Sequence, residues 1–372
     1  MRLTIVQGAF FPVPPLRGGA VEKVWHALGR ELATKGIQVV HVSRRFAGLP
    51  NDEVVDGVRH IRINGADAPS NVLLHKLADL AYSLRARGVI PPSDVVVTNT
   101  FWLPIIGVPR HAGNLYVHVA RYPRGQMRWY GKAARLQCVS RAVSEAVKAE
   151  APQLKDRVCT LPYPLPTDRW ANPDFTQGSA SILYAGRIHP EKGLGMLMEA
   201  VRELQSRGGN FGLTIVGPWQ VAQGGGGDSY LNSLKAALGD AERFVTFLDP
   251  IYDGNELASV YRRHGIFVYP SLAEKGESFG VAPLEAMSNG CFPVVSSLDC
   301  FRDFIEPGVT GVMFDHRAQD ASSRLATALY DVCAPDSGLS ERRRAAWLRA
   351  GNFELSKVAR MYQEDLEQVA QR

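Results

Sequence analysis

Two doubly wound α/β domains in tandem are the fold this sequence predicts, and three observations predict it. The chain has 372 residues, two to three times an ordinary single-domain length. Short apolar runs of strand length alternate with segments of helical period in both halves, the mark of a mostly parallel sheet covered by helices. The alternation breaks at Pro162-Tyr163-Pro164-Leu165-Pro166, a stiff connector, and then restarts.

In the first half, residues 3–7 read as a strand and residues 20–35 as a helix closed by Gly36. Residues 38–43 form the next strand, and residues 58–63 alternate apolar and polar after the turn pair Asp56-Gly57. Asn71 caps a helix over residues 71–87, stopped before Pro91-Pro92. Strands at 94–98, 115–119, 136–139 and 158–161 follow, with a helix at 141–150. Beyond the connector, strands are expected at 181–184, 213–216, 245–247, 266–269, 293–296 and 311–314. The helices between and after them fall at 194–207, 230–238, 255–264, 283–288 and 320–333. A last amphipathic helix covers 354–370, and Gly224-Gly225-Gly226-Gly227 reads as a flexible loop or flap.

Composition narrows the class. At 45% hydrophobic, 21% charged and 9% aromatic, the chain is neither disordered nor a coiled coil. No run of 18 apolar residues predicts a membrane span, and the opening Met1-Arg2-Leu3-Thr4-Ile5-Val6-Gln7 turns to Gly and Pro too early for a signal peptide. Cys138, Cys159, Cys291, Cys300 and Cys333 lack CxxC pairing and read as buried thiols of a reducing cytoplasm. The net charge of +5 is uneven: residues 1–163 hold 22 Lys+Arg against 11 Asp+Glu, and residues 164–372 hold 20 against 26. A basic first half suggests an anionic partner.

Two constellations carry chemistry. In Gly186-Arg187-Ile188-His189-Pro190-Glu191-Lys192-Gly193, between a strand and a helix, two cations lie five residues apart. Arg187 can grip two phosphate oxygens as a fork, Lys192 adds a point charge, and the following helix start adds positive potential. A solvated loop with incidental cations accounts for this stretch equally well, and no GxxxxGK(S/T) loop is present. Because both cations sit in a loop, replacing either is expected to leave folding nearly unaffected. The second constellation runs from Glu277 through Phe279, Gly280, Val281 and Pro283 to Glu285. Pro283 suits a first helical turn, which places Glu285 near the third helical residue and Glu277 in the preceding loop. The N–H groups of Phe279, Gly280 and Val281 then face an anion, and the two carboxylates can accept hydroxyl hydrogen bonds from a polyhydroxylated ligand. Taken singly, Glu285 is better explained by the helix macrodipole and Glu277 as a solvated loop acid.

Together these stretches resemble the retaining family four glycosyltransferases of the GT-B fold, the group 1 glycosyltransferases, over nearly the whole chain. The resemblance rests on Gly18-Gly19 after the first strand, His118 at a strand end, Cys138-Val139-Ser140, Gly186-Arg187 to Lys192-Gly193, Val216-Gly217, and the E-x7-E pair Glu277 and Glu285. It implies two Rossmann-like domains facing a cleft. The acceptor would be bound by residues 1–163, with residues 354–372 packing back on them, and the donor by residues 164–353. It also implies a nucleotide-sugar donor, UDP or GDP. Arg187 and Lys192 match the residues that neutralise the donor diphosphate, and Glu285 the ribose carboxylate. Glu277 and His118 match groups beside the transferred sugar, and Phe279, Gly280 and Val281 the amides that meet the sugar or the distal phosphate. Gly18 and Gly19 match the loop that approaches the diphosphate, and Ile251 lies where the base is read. The acid Glu22 stands one position late for the pattern, and Ser278 replaces a small or prolyl residue.

No Asp-x-Asp pair suggests a metal site, so the expectation is a metal-independent reaction that needs no cofactor. The expected acceptor is a glycan, a lipid-linked or an anionic molecule. Arg121, Tyr122, Arg124, Arg128, Trp129, Lys132 and Arg135, with Tyr130, form a candidate membrane-surface patch. The expected protein is cytoplasmic with peripheral contact to acidic membrane, and no nucleic-acid reader motif is present. A nucleotide-sugar epimerase or phosphorylase of the same fold, and a catalytically silent homologue, are the alternatives. Neither glycine loop reads GxGxxG, which argues against a dehydrogenase.

Overall fold

Residues 1–165, 173–176, 181–209 and 211–372 are described by a computed structural model, and the chain divides into two units. One is Met1–Asp168 with Phe353–Arg372, and the other is Arg169–Asn352. Pro166, at the end of the expected connector, lies outside the described residues.

The first unit contains β1 (Arg2–Val6), α1 (Ala20–Thr34), β2 (Gln38–Arg44), β3 (Asp52–Val55), β4 (Val58–Ile63), α2 (Val72–Val89) and β5 (Val95–Thr98). It continues with α3 (Leu103–Ile106), β6 (Asn114–Val119), β7 (Arg135–Cys138), α4 (Arg141–Glu150) and β8 (Val158–Thr160). Its eight strands lie in the order β3-β4-β2-β1-β5-β6-β7-β8. All neighbours are parallel except β3, which pairs antiparallel with β4 through the Asp56-Gly57 turn. Val95-Val96-Val97-Thr98 is buried throughout, as a central parallel strand covered on both faces requires. Asn71 caps α2 as expected, accepting from the N–H groups of Leu73 and Leu74 at 2.9 and 3.2 Å.

The second unit contains β9 (Ser181–Ala185), α5 (Leu194–Ser206), β10 (Gly212–Val216), α6 (Gly227–Leu238), β11 (Val245–Leu248), α7 (Gly254–Arg262) and β12 (Ile266–Tyr269). It ends with α8 (Val281–Ser288), β13 (Phe292–Ser296), β14 (Val312–Phe314), α9 (Ala321–Cys333) and α10 (Leu339–Ala350). Its parallel strands run β11-β10-β9-β12-β13-β14. The strand order reverses between β1 and β5 in the first unit and between β9 and β12 in the second. Crevices open at such points beyond the carboxyl ends of the strands.

The last helix, α11 (Leu355–Ala370), belongs to the first unit. It buries Val358, Tyr362, Leu366 and Val369 on one stripe, each burial worth roughly 1.5–3 kcal/mol for a large apolar side chain. Tyr362 meets Trp25 of α1 edge-on at 5.4 Å, and Asp365 pairs with Arg135 of β7 at 2.7 Å.

Several expectations are corrected. Gly224-Gly225-Gly226-Gly227 is not a free flap. Gly225, Gly226 and Gly227 donate to Gln220, Ile188 and Trp219 at 2.9, 2.8 and 2.7 Å, and Gly227 opens α6. Arg135 is buried in β7, and Tyr130 is only 3% exposed, so neither belongs to a surface patch. All five cysteines are free thiols, but Cys159 and Cys333 are only partly buried.

Candidate active site

The two loops at the β9–β12 reversal carry the charged residues. Beyond β9 the chain turns through Gly186 and Arg187 and a short turn, Pro190–Lys192, into α5. Beyond β12 it runs through Pro270 and Ser271 to Glu277 and enters α8. Gly193 holds the first loop against the second. Its φ is +71°, and a Cβ there would strike the Pro270 carbonyl oxygen. Leu272 N–H donates to the Glu191 carbonyl at 2.8 Å, tying the loops again.

This closeness joins residues 85 positions apart. The Lys192 ammonium donates to Glu277 Oε1 as a nearly buried ion pair, with side-chain exposures of 9% and 11%. The same Glu277 oxygen accepts from the Tyr269 hydroxyl at 2.9 Å and from Ser271 Oγ at 3.3 Å. Lys192 Nζ also lies 5.5 Å from the Tyr269 ring centroid, and that ring stacks on Tyr184 at 5.9 Å. Burial, and then the Glu277 carboxylate, push the Tyr269 phenol well above its usual range, so it stays a donor. Tyr184 donates to the Arg187 carbonyl at 2.8 Å, bracing the first loop. Tyr269, Ser271 and Tyr184 were not singled out from sequence. Their only signal is a hydroxyl-bearing side chain in or just after two strands that prove to be neighbours.

Arg187 is held differently. Its side chain is 43% exposed, and its guanidinium donates to Glu191 Oε1 at 2.6 Å and to the Gly224 carbonyl at 2.8 Å. Beside it opens a cavity of about 280 Å³ whose wall includes Gly186, Arg187, Ile251, Tyr252, Tyr261 and Glu285. Tyr252 reaches across to Gln223 Oε1 at 2.8 Å.

Helix α8 begins two residues earlier than expected, at Val281, so Pro283 is its third residue and Glu285 its fifth. Gly280 is the N-cap at φ +92°, and a Cβ there would collide with the Phe301 ring. Phe279 is buried beneath, 5.6 Å from Phe304. The N–H groups of the first turn therefore open at the loop that carries Glu277.

In the first unit, Gly18 and Gly19 precede α1, with Gly19 as its N-cap. Glu22, in the first turn, is buried, and burial raises its carboxyl pKa. His118 is 3% exposed, next to last in β6. Its Nδ1 donates to Gln137 Oε1 at 2.5 Å, and Gln137 Nε2 donates to the Leu161 carbonyl at 2.8 Å. That orientation leaves Nε2 as an acceptor, with the Tyr163 hydroxyl 3.3 Å away. Burial pushes His118 down to about 4, so the ring is neutral at pH 7. Among the described residues, no group of three or more His, Cys, Asp or Glu is placed to hold a metal ion.

Residues 170–339 match the sequence model of the glycosyl transferases group 1. A D-inositol 3-phosphate glycosyltransferase of Arthrobacter sp. (strain FB24) is 35% identical over 185 residues, which are 49% of this chain and 41% of that protein. A phosphatidyl-myo-inositol mannosyltransferase of Mycolicibacterium smegmatis is 29% identical over 163 residues, 44% of this chain and 38% of that one. The chain thus spans well under two thirds of these curated relatives. Among solved structures, a sucrose-phosphate synthase from Thermosynechococcus elongatus superposes with a TM-score of 0.76 at 17% identity, covering 99% of both chains. The chain therefore has the GT-B fold, and over residues 170–339 it matches the glycosyl transferases group 1.

Proposed function

We propose that this chain is a retaining, metal-independent glycosyltransferase that moves a sugar from a UDP- or GDP-sugar to a glycan, lipid-linked or small anionic acceptor. The observation that carries the reading is the pair of loops at the β9–β12 reversal. There Arg187 and Lys192, each paired with a carboxylate, and the N–H groups at the start of α8 lie near a cavity whose wall includes Arg187 and Glu285. Breaking an anomeric C–O bond leaves negative charge on the departing diphosphate and positive charge on the sugar. Preset cations and amides stabilise the first, the office that Mg²⁺ performs elsewhere. The second unit is proposed to hold the donor and the first the acceptor. Glu285 accepts from the ribose hydroxyls, with Ile251 against the base. Glu277, kept in one rotamer by Lys192, Tyr269 and Ser271, orients a sugar hydroxyl. His118, neutral and with its tautomer set by Gln137, is proposed to accept from a hydroxyl of the transferred sugar.

The names of both relatives include a phosphorylated inositol. An anionic acceptor also suits the basic first half, 22 Lys+Arg against 11 Asp+Glu in residues 1–163. We place the protein in the cytoplasm, in peripheral contact with acidic membrane. Among the described residues, no helix is long and apolar enough to cross a bilayer.

A thermal-shift panel of UDP, GDP and ADP, each with 1 mM EDTA as the order of magnitude needed to strip adventitious divalent ions, tests the donor side, because ligand binding stabilises by mass action. One nucleoside diphosphate should raise Tm, and Glu285→Gln should remove the shift. The cognate sugar nucleotide should then give a product with the donor's anomeric configuration by NMR. Stabilisation by none of them, or an inverted product, overturns the reading.

A further inference from the structure

Helix α2 carries two apolar faces, and only one of them is covered. The inner face, with Tyr82, Ala86 and, just beyond the helix, Ile90, is part of a core cluster that includes Val6, Val42 and Val96. On the opposite side Leu73, Leu77, Leu80 and Leu84 follow one another at i, i+4, i+7 and i+11, a continuous stripe. Leu73, Leu77 and Leu84 are 66%, 50% and 55% exposed, and Val72 and Leu74 extend the apolar surface at the helix start. At 1.5 Å per residue the stripe is about 16 Å long.

Its surroundings say what covers it. Trp102 donates its indole N–H to the Lys76 carbonyl at 2.8 Å, and Lys76 Nζ lies 4.8 Å from the Phe101 ring centroid. Phe101 in turn meets the exposed Trp129 edge-on at 6.3 Å. Exposed Lys76, Arg85 and Arg87 lie on the helix, with Arg128 and Lys132 near Trp129. The helix's one acid, Asp79, is buried and accepts from the N–H groups of Phe101 and Trp102 at 3.1 and 3.2 Å. A second copy docked on this face would set cation against cation with no exposed acid on the helix to balance them. Leucines backed by tryptophans and fringed by Lys and Arg instead match the apolar, interfacial and anionic layers of a bilayer surface.

We propose that the outward face of α2, with Trp102 and Trp129 beside it, is the surface by which this chain lies on anionic lipid. The proposal specifies the peripheral contact suggested above, and it does not depend on sugar transfer. It also moves the centre of that contact from the patch of bases and aromatics at residues 121–135, two of which (Arg135 and Tyr130) are buried, to the apolar stripe of α2 with its basic flanks.

The test is flotation with vesicles of phosphatidylcholine alone and of equal parts phosphatidylcholine and phosphatidylglycerol. The wild type should float only with the phosphatidylglycerol vesicles. Leu73→Ser/Leu77→Ser/Leu84→Ser should partition about 100-fold more weakly, three half-exposed leucines each losing an apolar environment. Lys76→Ala/Arg128→Ala should lose about 30-fold, at about 1 kcal/mol for each of the two cations near an acidic surface. All the substituted leucines are exposed, so circular dichroism and Tm should not move. A wild type that binds neither vesicle overturns the membrane contact altogether. A leucine variant that floats like the wild type overturns only the assignment to α2. A dimer in sedimentation equilibrium that the leucine variant converts to monomer, with vesicle binding unchanged, assigns the stripe to a second copy instead.

Discussion

Replacing Lys192 by Ala should destabilise the protein, contrary to the expectation for a loop cation. The ammonium sits against Glu277 with both side chains close to nine-tenths buried. Removing it leaves a buried carboxylate that still accepts from the Tyr269 and Ser271 hydroxyls. Breaking a buried pair from one side costs about 3–5 kcal/mol, and two hydroxyl donors in place argue for the lower end. About 3 kcal/mol corresponds to roughly 6–12 °C in Tm for a unit of this size. Arg187→Ala serves as the control. Its pair with Glu191 is 43% and 37% exposed, and screened pairs of that kind are worth about 0–1 kcal/mol. Lys192→Met/Glu277→Gln, which removes both charges, should recover most of the loss. Calorimetry and urea titration of the four proteins measure stability, and donor turnover measures function. Both single variants, and the double one, should lose on the order of 10²-fold in kcat/KM. Equal Tm for the Lys192 and Arg187 single variants would refute the buried-pair reasoning. Recovered turnover in the double variant would refute the role of these charges in transfer.

Tyr269→Phe keeps the ring that stacks on Tyr184 but removes the donor to Glu277, so kcat should fall about tenfold with little change in donor KM. A change confined to KM would show that the hydroxyl holds donor rather than Glu277. Acid should weaken the fold through two histidines. Burial brings both His60 and His118 down to about 4, with Arg62 and His26 adding to the effect at His60, while an unfolded histidine titrates near 6.5. The unfolded chain therefore binds more protons between those values, and stability falls as pH drops through that window, by about 2 kcal/mol per histidine at pH 5. Scanning calorimetry from pH 7 to 5 should show Tm falling, and a flat or rising profile removes the argument.

Most strands were legible because parallel strands buried on both faces read as unbroken apolar runs, as Val95-Val96-Val97 shows. Strand β3 and helix α10 were not legible, each for its own physical reason. Strand β3 has an exposed edge pattern, and its pairing with β4 supplies the order that its composition lacks. Helix α10 reads as a charged segment because its inward positions include Arg343, fully buried and bonded to the carbonyl oxygens of Gly290 and Phe175 at 2.7 and 2.8 Å. Hydrophobic periodicity cannot detect a helix that turns an arginine inward. At the site, Arg187, Lys192, Glu277 and Glu285 were recognisable as types in a pattern. Their partners were not, because the Lys192–Glu277 pair spans 85 positions and forms only when β9 and β12 become neighbours.

That pairing gives the two cations different tasks under the proposed function. Each already has a carboxylate, so the four groups Arg187, Glu191, Lys192 and Glu277 carry no net charge before a diphosphate enters. Arg187 can change partners cheaply, since its half-exposed pair is worth little and its fork suits two phosphate oxygens. Lys192 cannot leave, because its departure strands a buried carboxylate. It has further N–H groups to turn toward a phosphate while it keeps Glu277. A mobile fork that captures the donor and a fixed ammonium that stays with the sugar-side carboxylate predict a split in kinetics. Arg187→Ala should raise donor KM more than it lowers kcat, and Lys192→Ala should lower kcat more than it raises KM. The reverse pattern in initial-rate measurements would mean that the exposed arginine, rather than the buried lysine, acts at the transition state.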